Sequence, residues 1–389
     1  MTRSADAIVV GGGIHGASVA LHLARLGIRP LVVERHAVAT GATGRSDGLI
    51  RMHYDFMPDA QLAWWSFRYF QEADELIGPG CGFRRTGFLQ FVRPGLIERL
   101  RANVGELQQL GIRTSLVSAS EVRGLAPMLA VDDETVAAFE PESGYADPAG
   151  TAMAFLEAAR RMGARLVQGC RVTAIAVRAG RVVGVTTDRG GYSAPIVINC
   201  AGAWAAEIGR MVGLELPVKV WRHSTAFLRL PPGLPADFPA VFDDANGLYF
   251  RPEGSSSMLA GLKDESETGG PADRETMTVP SGFGERVTER ILTRCPSMAA
   301  GTFGAAHSGQ DGITPDQKAI IGQVGPDGFY AACGFSGTGF KTAPAVGAAL
   351  SELVTQGRST TVDISPYGIG RFEEGRLLVG TYPYDPMWH

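Results

Sequence analysis

Gly11, Gly13 and Gly16 stand in the spacing G-x-G-x-x-G, directly after the apolar run Ile8-Val9-Val10. Such a trio can hold a pyrophosphate. Gly11 permits the tight turn, Gly13 lets the backbone approach the phosphates, and Gly16 lets a helix pack close to a strand. The phosphates then meet N–H groups at the positive end of a helix dipole. Glu34 closes the second apolar run, Leu31-Val32-Val33. An acidic side chain there accepts hydrogen bonds from a ribose 2′-OH and repels a 2′-phosphate. Between the runs, Ile14, Val19, Leu21, Leu23 and Leu26 keep a helical period. Strand, glycines, helix, strand and acid, in that order, predict an adenine dinucleotide at the N-terminus.

Holding such a ligand takes a sizeable scaffold. The chain has 389 residues, too many for one small core, so two intertwined domains are expected. Its 45% hydrophobic and 20% charged content is that of a soluble globular enzyme. A net charge of −4 and the lack of any basic block argue against nucleic acid as a partner. No apolar run reaches the roughly 18 residues of a membrane span. The first apolar stretch is already the dinucleotide strand, so no signal peptide can be removed without destroying the motif. The five cysteines and seven histidines are scattered, which points to a reduced, cytoplasmic setting and to no metal site.

Further along, a loop of small residues runs from Ala39 to Gly48, suited to wrapping a phosphate or a ring. Leu49-Ile50-Arg51 and a helix from about Pro58 to Leu76 follow. Between residues 81 and 144 short strands and helices alternate: Phe83 to Val92 reads as a hairpin and Leu96 to Leu110 as a helix. Thr151 to Met162 reads as a helix, and Arg165 to Val167, Val172 to Val177 and Val182 to Thr187 as strands. Pro195 to Asn199 returns the chain to a parallel sheet. Val218 to Leu230 and Gly247 to Gly261 look antiparallel, with turns at Pro231-Pro232-Gly233 and Gly254 to Ser257. Tyr330 to Cys333 is the last strand. A second glycine turn, Gly334 to Gly339, leads into a helix from Phe340 to Thr355. The expected fold is α/β: a Rossmann-like domain made of residues 1–80, 145–215 and 305–375. A mainly antiparallel α+β domain of residues 81–144 and 216–304 is inserted into it.

Several blocks together resemble the D-amino-acid oxidase superfamily of flavoproteins, in its sarcosine oxidase and glycine oxidase-like branch. They are the N-terminal fingerprint, Gly41-Ala42-Thr43-Gly44-Arg45-Ser46, Arg51, Gly144-Tyr145-Ala146-Asp147-Pro148, Val197 to Trp204, Thr314-Pro315-Asp316 and Gly334 to Lys341. The resemblance implies FAD and oxidation of a secondary or primary amine alpha to a carboxylate. It implies FAD contacts from Gly11, Gly13, Ile14, His15 and Gly16, from Glu34 and Arg35, and from Thr43, Gly44, Arg45 and Ser46. It extends them to Val172, to Ala201, Gly202 and Trp204, and to Gly334, Gly337, Thr338, Gly339, Phe340 and Lys341. The residues agree independently. A nicotinamide enzyme would want an acid/base near the hydride, yet His15 lies inside the phosphate turn and His22 on the helix after it. The second glycine turn suits the flavin end, where N–H groups stabilise negative charge on the reduced ring.

By the same resemblance Arg51 and Lys341 grip the substrate carboxylate, one as a bidentate fork and one as a point charge. Lys341 at a helix start is electrostatically misplaced unless an anion lies nearby. Lys263 aligns with a lysine that activates oxygen, while its neighbours Asp264 and Glu265 read as a solvent-exposed turn. Tyr249 or Phe250, by alternation, faces the substrate cavity. His307 reads either as a reach toward flavin or substrate or as a core histidine. Two departures stand out. Gly309 and Arg45 occupy the places where relatives attach flavin covalently, so FAD is expected to be non-covalent. Glu267 falls where the monomeric enzymes carry a cavity histidine, which argues against sarcosine itself.

The implied chemistry is hydride transfer from the alpha carbon of a neutral amine to flavin N5, then imine hydrolysis, with electrons passing to oxygen or another acceptor. Nearby cations help by lowering the amine pKa. Two alternatives stand beside this: a flavin dehydrogenase of a 2-hydroxy acid or glycerol 3-phosphate, which the same anchors would serve, and a non-catalytic subunit that holds FAD for structure in a larger amine-oxidising complex. The exact amine and the oligomeric state are not written in the residues.

Overall fold

The computed structural model describes residues 3–273 and 278–384. Strand β1 (Ala7–Val10) leads through the glycine turn into helix α1 (Ile14–Arg25) and strand β2 (Pro30–Val33). All four residues of β1 and all four of β2 are buried, as expected of strands covered on both faces. They form the middle of a six-stranded sheet in the order Arg165–Val167, β2, β1, Val197–Asn199, Phe329–Cys333, Ile320–Gln323. The first five strands are parallel and the last is antiparallel. Chain segments from the beginning, middle and end therefore meet in one sheet.

Small residues let the helices over this sheet approach closely. Ser18 of α1 donates its hydroxyl to the Ala343 carbonyl at 2.8 Å, and a Cβ on Gly347 would lie 2.1 Å from the Ser18 oxygen. Leu21 and Leu23 are fully buried, each contributing about 2 kcal/mol of apolar burial. The partner helix (Gly339–Gln356) carries Pro344 in its first turns. Proline has no N–H to give. Ser66 accepts from the Ala345 N–H at 2.9 Å, so the break in the ladder is satisfied by a side chain from a neighbouring helix.

A second, eight-stranded sheet contains strands β3 (Lys219–Arg229), β4 (Leu248–Glu253), β5 (Ser257–Thr268) and β6 (Thr302–Ile313). Its order is β6, β3, β5, β4, Ala240–Asp243, Phe88–Phe91, Val136–Glu140, Ser115–Ser118. Only the pair Ala240–Asp243 and Phe88–Phe91 is parallel. One face packs on the helix Phe283–Arg294 through Phe250, Leu262, Val287 and Ile291. The other holds Phe88, Trp221, Phe242 and Tyr249. Tyr249 and Phe250 thus alternate as expected, but both are buried, because this sheet is covered on both sides.

The hairpin expected over Phe83 to Val92 does not form. Arg84–Arg85 pairs with Gly144–Tyr145, and Phe88–Phe91 pairs with Val136–Glu140 and Ala240–Asp243. Gly87, at φ +82° and with Phe139 where a Cβ would point, sends the two strands into different sheets. Glu34 lies one residue beyond the end of β2 rather than within it. No helix among the described residues is long and apolar enough to cross a membrane.

Candidate functional site

A cleft of about 1650 Å³, measured out to its solvent mouth, runs between the two glycine turns. Gly11, Gly13, Ile14 and His15 line it on one side and Gly337, Gly339 and Phe340 on another. Gly11 has φ +110°, and a Cβ there would lie 2.5 Å from the Cys200 carbonyl oxygen. Thr43 accepts from the Ile14 N–H at 3.0 Å, tying the small-residue loop to the start of α1. That helix start carries no acid in its first turn and no side-chain cap from Gly13, so its positive end is available to an anion. Both Glu34 oxygens are held by backbone, accepting from Gly12 and His36 N–H groups at 2.7 Å each. Glu34, Arg35, Thr43, Arg45, Ser46, Val172, Ala201, Gly202 and Trp204 all line the same cleft.

Five expected contact residues shape the turns instead of facing the cleft. A Cβ on Gly16 would lie 1.9 Å from the Gly11 carbonyl oxygen, and one on Gly44 would lie 2.3 Å from the Ala39 carbonyl oxygen. Gly334 has φ +69° against Thr314, and Thr338 donates to the Phe335 carbonyl at 2.8 Å. Lys341, the fifth, points into a separate interior cluster.

His15 lies in the cleft wall, stacked on Phe335 with ring centroids 3.6 Å apart. Burial pushes its pKa down to about 3, so it is neutral. Its Nε2 is buried and has no hydrogen-bond partner among the described residues. An unsatisfied polar atom between the two turns fits a polar ligand spanning both. Gly309 and Arg45 abut across the wall, a Gly309 Cβ falling 3.1 Å from Arg45 Cβ. The residues present therefore fit an FAD laid from one turn to the other.

Arg51, Lys341 and Lys263 do not line the cleft. Arg51 and Lys263 gather on Phe242 behind its Tyr249 wall, and Lys341 lies within range of the Arg51 charge. Arg51 is 2% exposed. Its guanidinium donates to the His53 carbonyl and lies over the rings of Tyr54 at 4.4 Å and Phe242 at 4.8 Å. Phe242 in turn stacks on Tyr249 at 5.6 Å. Lys263 is not in an exposed turn: it is buried, pairs with Asp244, and lies 5.2 Å from the centre of the Phe242 ring. The pairing of β5 with β3 breaks between Gly261 and Ser266, and in this bulge Lys263 turns inward.

Among the described residues, Lys341 has no carboxylate to itself. Asp244 serves Lys263, and Asp59 takes Lys318 at 3.0 Å and the Tyr367 hydroxyl at 2.6 Å. Burial, and then the charge of Arg51, pushes the Lys341 pKa down to about 7, with Asp47 and Asp59 opposing. The folded chain therefore holds fewer protons than the unfolded chain from about pH 7 up to the ordinary lysine value of about 10.4. Stability should rise with pH across that window, because the cost of burying the ammonium is fully present below it. Lys341→Met should flatten the rise, seen as urea midpoints at pH 6 and pH 9. Parallel pH dependences in the two proteins would exclude this account.

Four groups that the sequence did not single out complete the site. His223 and Asp47 line the cleft with Tyr249 and Thr225. His223 and Thr225 share a face of β3, and Thr225 and Tyr249 hydroxyls lie 3.4 Å apart. The Tyr249 ring lies over Gly261, where a Cβ would collide at 2.2 Å. Burial pushes the His223 pKa down to about 4, opposed by Asp47, so the imidazole is neutral. Glu140 is buried beside Arg51, accepting from Met52 N–H at 3.0 Å and Ser143 hydroxyl at 2.6 Å. Its pKa is pushed up to about 7 by burial, with Ser143, Met52 and Arg51 opposing. Asp311 lines the cleft, accepting from Gly312 and Gly337 N–H groups at 2.7 and 3.0 Å.

His307 and Glu267 lie elsewhere. His307 packs against Phe227, with Nε2 3.5 Å from the Arg45 carbonyl oxygen, and is not part of the cleft wall. Glu267 is exposed on β5, 3.6 Å from Arg222.

The chain matches the family described as FAD dependent oxidoreductase (DAO) over residues 6–353. It is 28% identical over 397 residues to the mitochondrial sarcosine dehydrogenase of Mus musculus, covering 96% of this chain and 42% of that protein. The chain thus spans less than half the length of the sarcosine dehydrogenases it matches. Among solved structures it is similar to the L-proline dehydrogenase of P. horikoshii, with a TM-score of 0.90 at 26% identity over 97% of this chain and 100% of that one. It is also similar to the glycine oxidase of Geobacillus kaustophilus, with a TM-score of 0.83 at 25% identity over 95% of this chain and 99% of that one.

Proposed function

The chain belongs to the DAO family of FAD dependent oxidoreductases, and from that premise we propose that it oxidises the C–N bond of an amino acid. The substrate is an N-methyl, cyclic or primary amino acid. One observation carries the reading: Arg51 and Lys341, far apart in sequence, are buried close enough for the charge of one to depress the other's pKa. Two cations held together in an apolar interior are built for an anion, and a carboxylate with its fixed geometry suits the Arg51 fork.

Bound FAD supplies the hydride acceptor at its flavin N5. The protein's own groups do the rest. Arg51 and Lys341 take the carboxylate and thereby aim the alpha carbon. Their charge lowers the pKa of the substrate ammonium. His223, neutral and in the cleft wall, is the group to accept the ammonium proton, with Asp47 stabilising the imidazolium. Tyr54, Phe88, Phe242 and Tyr249 exclude water and face the substrate side chain. Lys263 is neutralised by Asp244 and takes no part in carboxylate binding, and His307 holds the Arg45 loop. Segments 1–80, 145–215 and 305–375 form the dinucleotide domain and also supply Arg51, Tyr54 and Lys341, while 81–144 with 216–304 form the substrate domain. The FAD is non-covalent, since neither Gly309 nor Arg45 can form the bond. Five buried, unpaired cysteines favour a reducing cytoplasm.

Anaerobic titration of the purified yellow protein tests the reading. N-methylglycine, L-proline, glycine and a 2-hydroxy acid are added in turn, and flavin bleaching is followed by absorbance. An amine should bleach the flavin while the 2-hydroxy acid leaves it coloured. Bleaching by the hydroxy acid alone would overturn the assignment. Acid precipitation should leave the yellow colour in the supernatant.

A further inference from the structure

Residues 269–273, a short segment that leaves β5, pack on wall residues of the cleft near Glu34, namely Arg35, Arg171, Trp204 and Gln310. Buried Arg222 donates to the Gly269 carbonyl at 2.8 Å and to the Pro271 carbonyl. Buried Gln310, itself part of the cleft wall, donates to the Ala272 carbonyl at 2.7 Å. The Gly269 N–H donates to the Val220 carbonyl at 2.7 Å. Ala272 is buried against Ala203 and Val220, with Trp204 alongside. Asp273 gathers three residues of the cleft wall. It accepts from the Trp204 indole at 2.6 Å and pairs with Arg35 at 2.7 Å and Arg171 at 3.6 Å. Arg35 also lies over the Trp204 ring at 4.8 Å. Burial works against the Asp273 charge, and hydrogen bonds from Arg35 and Trp204 hold its carboxyl below the usual range.

We infer that residues 269–273 form a clasp over the adenine-side mouth of the cleft, and that the Asp273 ties to Arg35, Arg171 and Trp204 set how fast FAD enters and leaves. The inference rests on the cofactor reading above. The ties of the clasp differ in kind. Residues 269–272 are fixed by hydrogen bonds from buried side chains, whereas Asp273 is tied by partly exposed ion pairs that salt can screen. Opening therefore begins with loss of the Asp273 ion pairs. Arg35, Arg171 and Trp204 then separate from the clasp without disturbing Glu34, whose oxygens are held by backbone.

The experiment measures FAD release from the holoenzyme by the rise of flavin fluorescence on dilution, and FAD uptake by the apoprotein in stopped flow. Asp273→Ala should speed both by about tenfold or more, the size expected for losing hydrogen bonds to a charged group. Asp273→Asn, which can still accept from Trp204, should fall between. Arg171→Ala, which cuts only the longest tie, should speed both rates by about twofold to threefold. Raised salt should speed release from the wild type more than from Asp273→Ala. Rates within twofold of wild type in all three variants would overturn the clasp. So would faster release with unchanged uptake, which marks a simple contact instead of a gate. A chain that takes up no flavin ends the cofactor reading and the clasp with it. Bound flavin with unchanged rates ends the clasp alone.

Discussion

Arg51→Ala should raise the KM for the amino-acid substrate by about 100-fold and leave FAD bound. A bidentate, charge-assisted pair with a carboxylate in a dry interior contributes on the order of 3 kcal/mol, and that is two decades of affinity. FAD should stay because Arg51 lies behind the cleft wall and not in it. The variant should also fold. Removing the guanidinium opens space between Tyr54 and Phe242, but it does not strand a charge. Glu140, beside it, already has its pKa pushed up to about 7 by burial; without the Arg51 charge it shifts higher, toward the neutral form. Arg51→Lys should recover about tenfold of the loss, since an ammonium supplies charge without the fork. The checks are steady-state KM, the flavin absorbance spectrum and a melting temperature. A KM within threefold of wild type, with flavin present, removes Arg51 from the carboxylate site.

Gly16→Ala should lower FAD affinity by about 100-fold or more and cost about 1–3 kcal/mol of stability. The added methyl would lie 1.9 Å from the Gly11 carbonyl oxygen and 3.3 Å from Val9 Cγ1. Neither can yield cheaply. Val9 is fully buried in β1, and Gly11 is held at φ +110° against Cys200. Helix α1 must move off the strand, and with it the turn that meets the pyrophosphate. Gly105→Ala is the matched control. It lies inside the helix Ile97–Gln109, with nothing within 4 Å of the new methyl, and should stabilise by about 0.5–1 kcal/mol. Flavin fluorescence titration and urea unfolding separate the two outcomes. A Gly16→Ala chain that binds FAD as the wild type does would show that the close approach is not needed.

The dinucleotide unit was legible because everything in it is local. Gly11, Gly13, Gly16 and Glu34 belong to one strand–turn–helix–strand, and their spacing alone puts Gly11, Gly13 and Glu34 on one cleft, with Gly16 shaping the turn. The alternation of Tyr249 and Phe250 was legible for the same reason, though not the helix Phe283–Arg294 that buries the second face. Phe83 to Val92 misled because strand-forming residues do not name their partners. Lys263 misled because Asp264 and Glu265 beside it do face Arg290 and Arg286 on the helix Phe283–Arg294, while the bulge turns the lysine the other way.

By itself the sequence determined that a dinucleotide is held at the N-terminus, that a second glycine turn exists, and that Arg51 and Lys341 matter if they meet. Only the tertiary structure decided that both are buried within range of each other's charge, that Glu140 stands beside Arg51, that His223 lines the cleft, and that Asp273 crosses to Trp204. The physical reason is range. Backbone spacing fixes groups within one element, whereas burial and charge act between atoms that folding brings together, and it is these that push Lys341 toward neutrality and keep His223 uncharged.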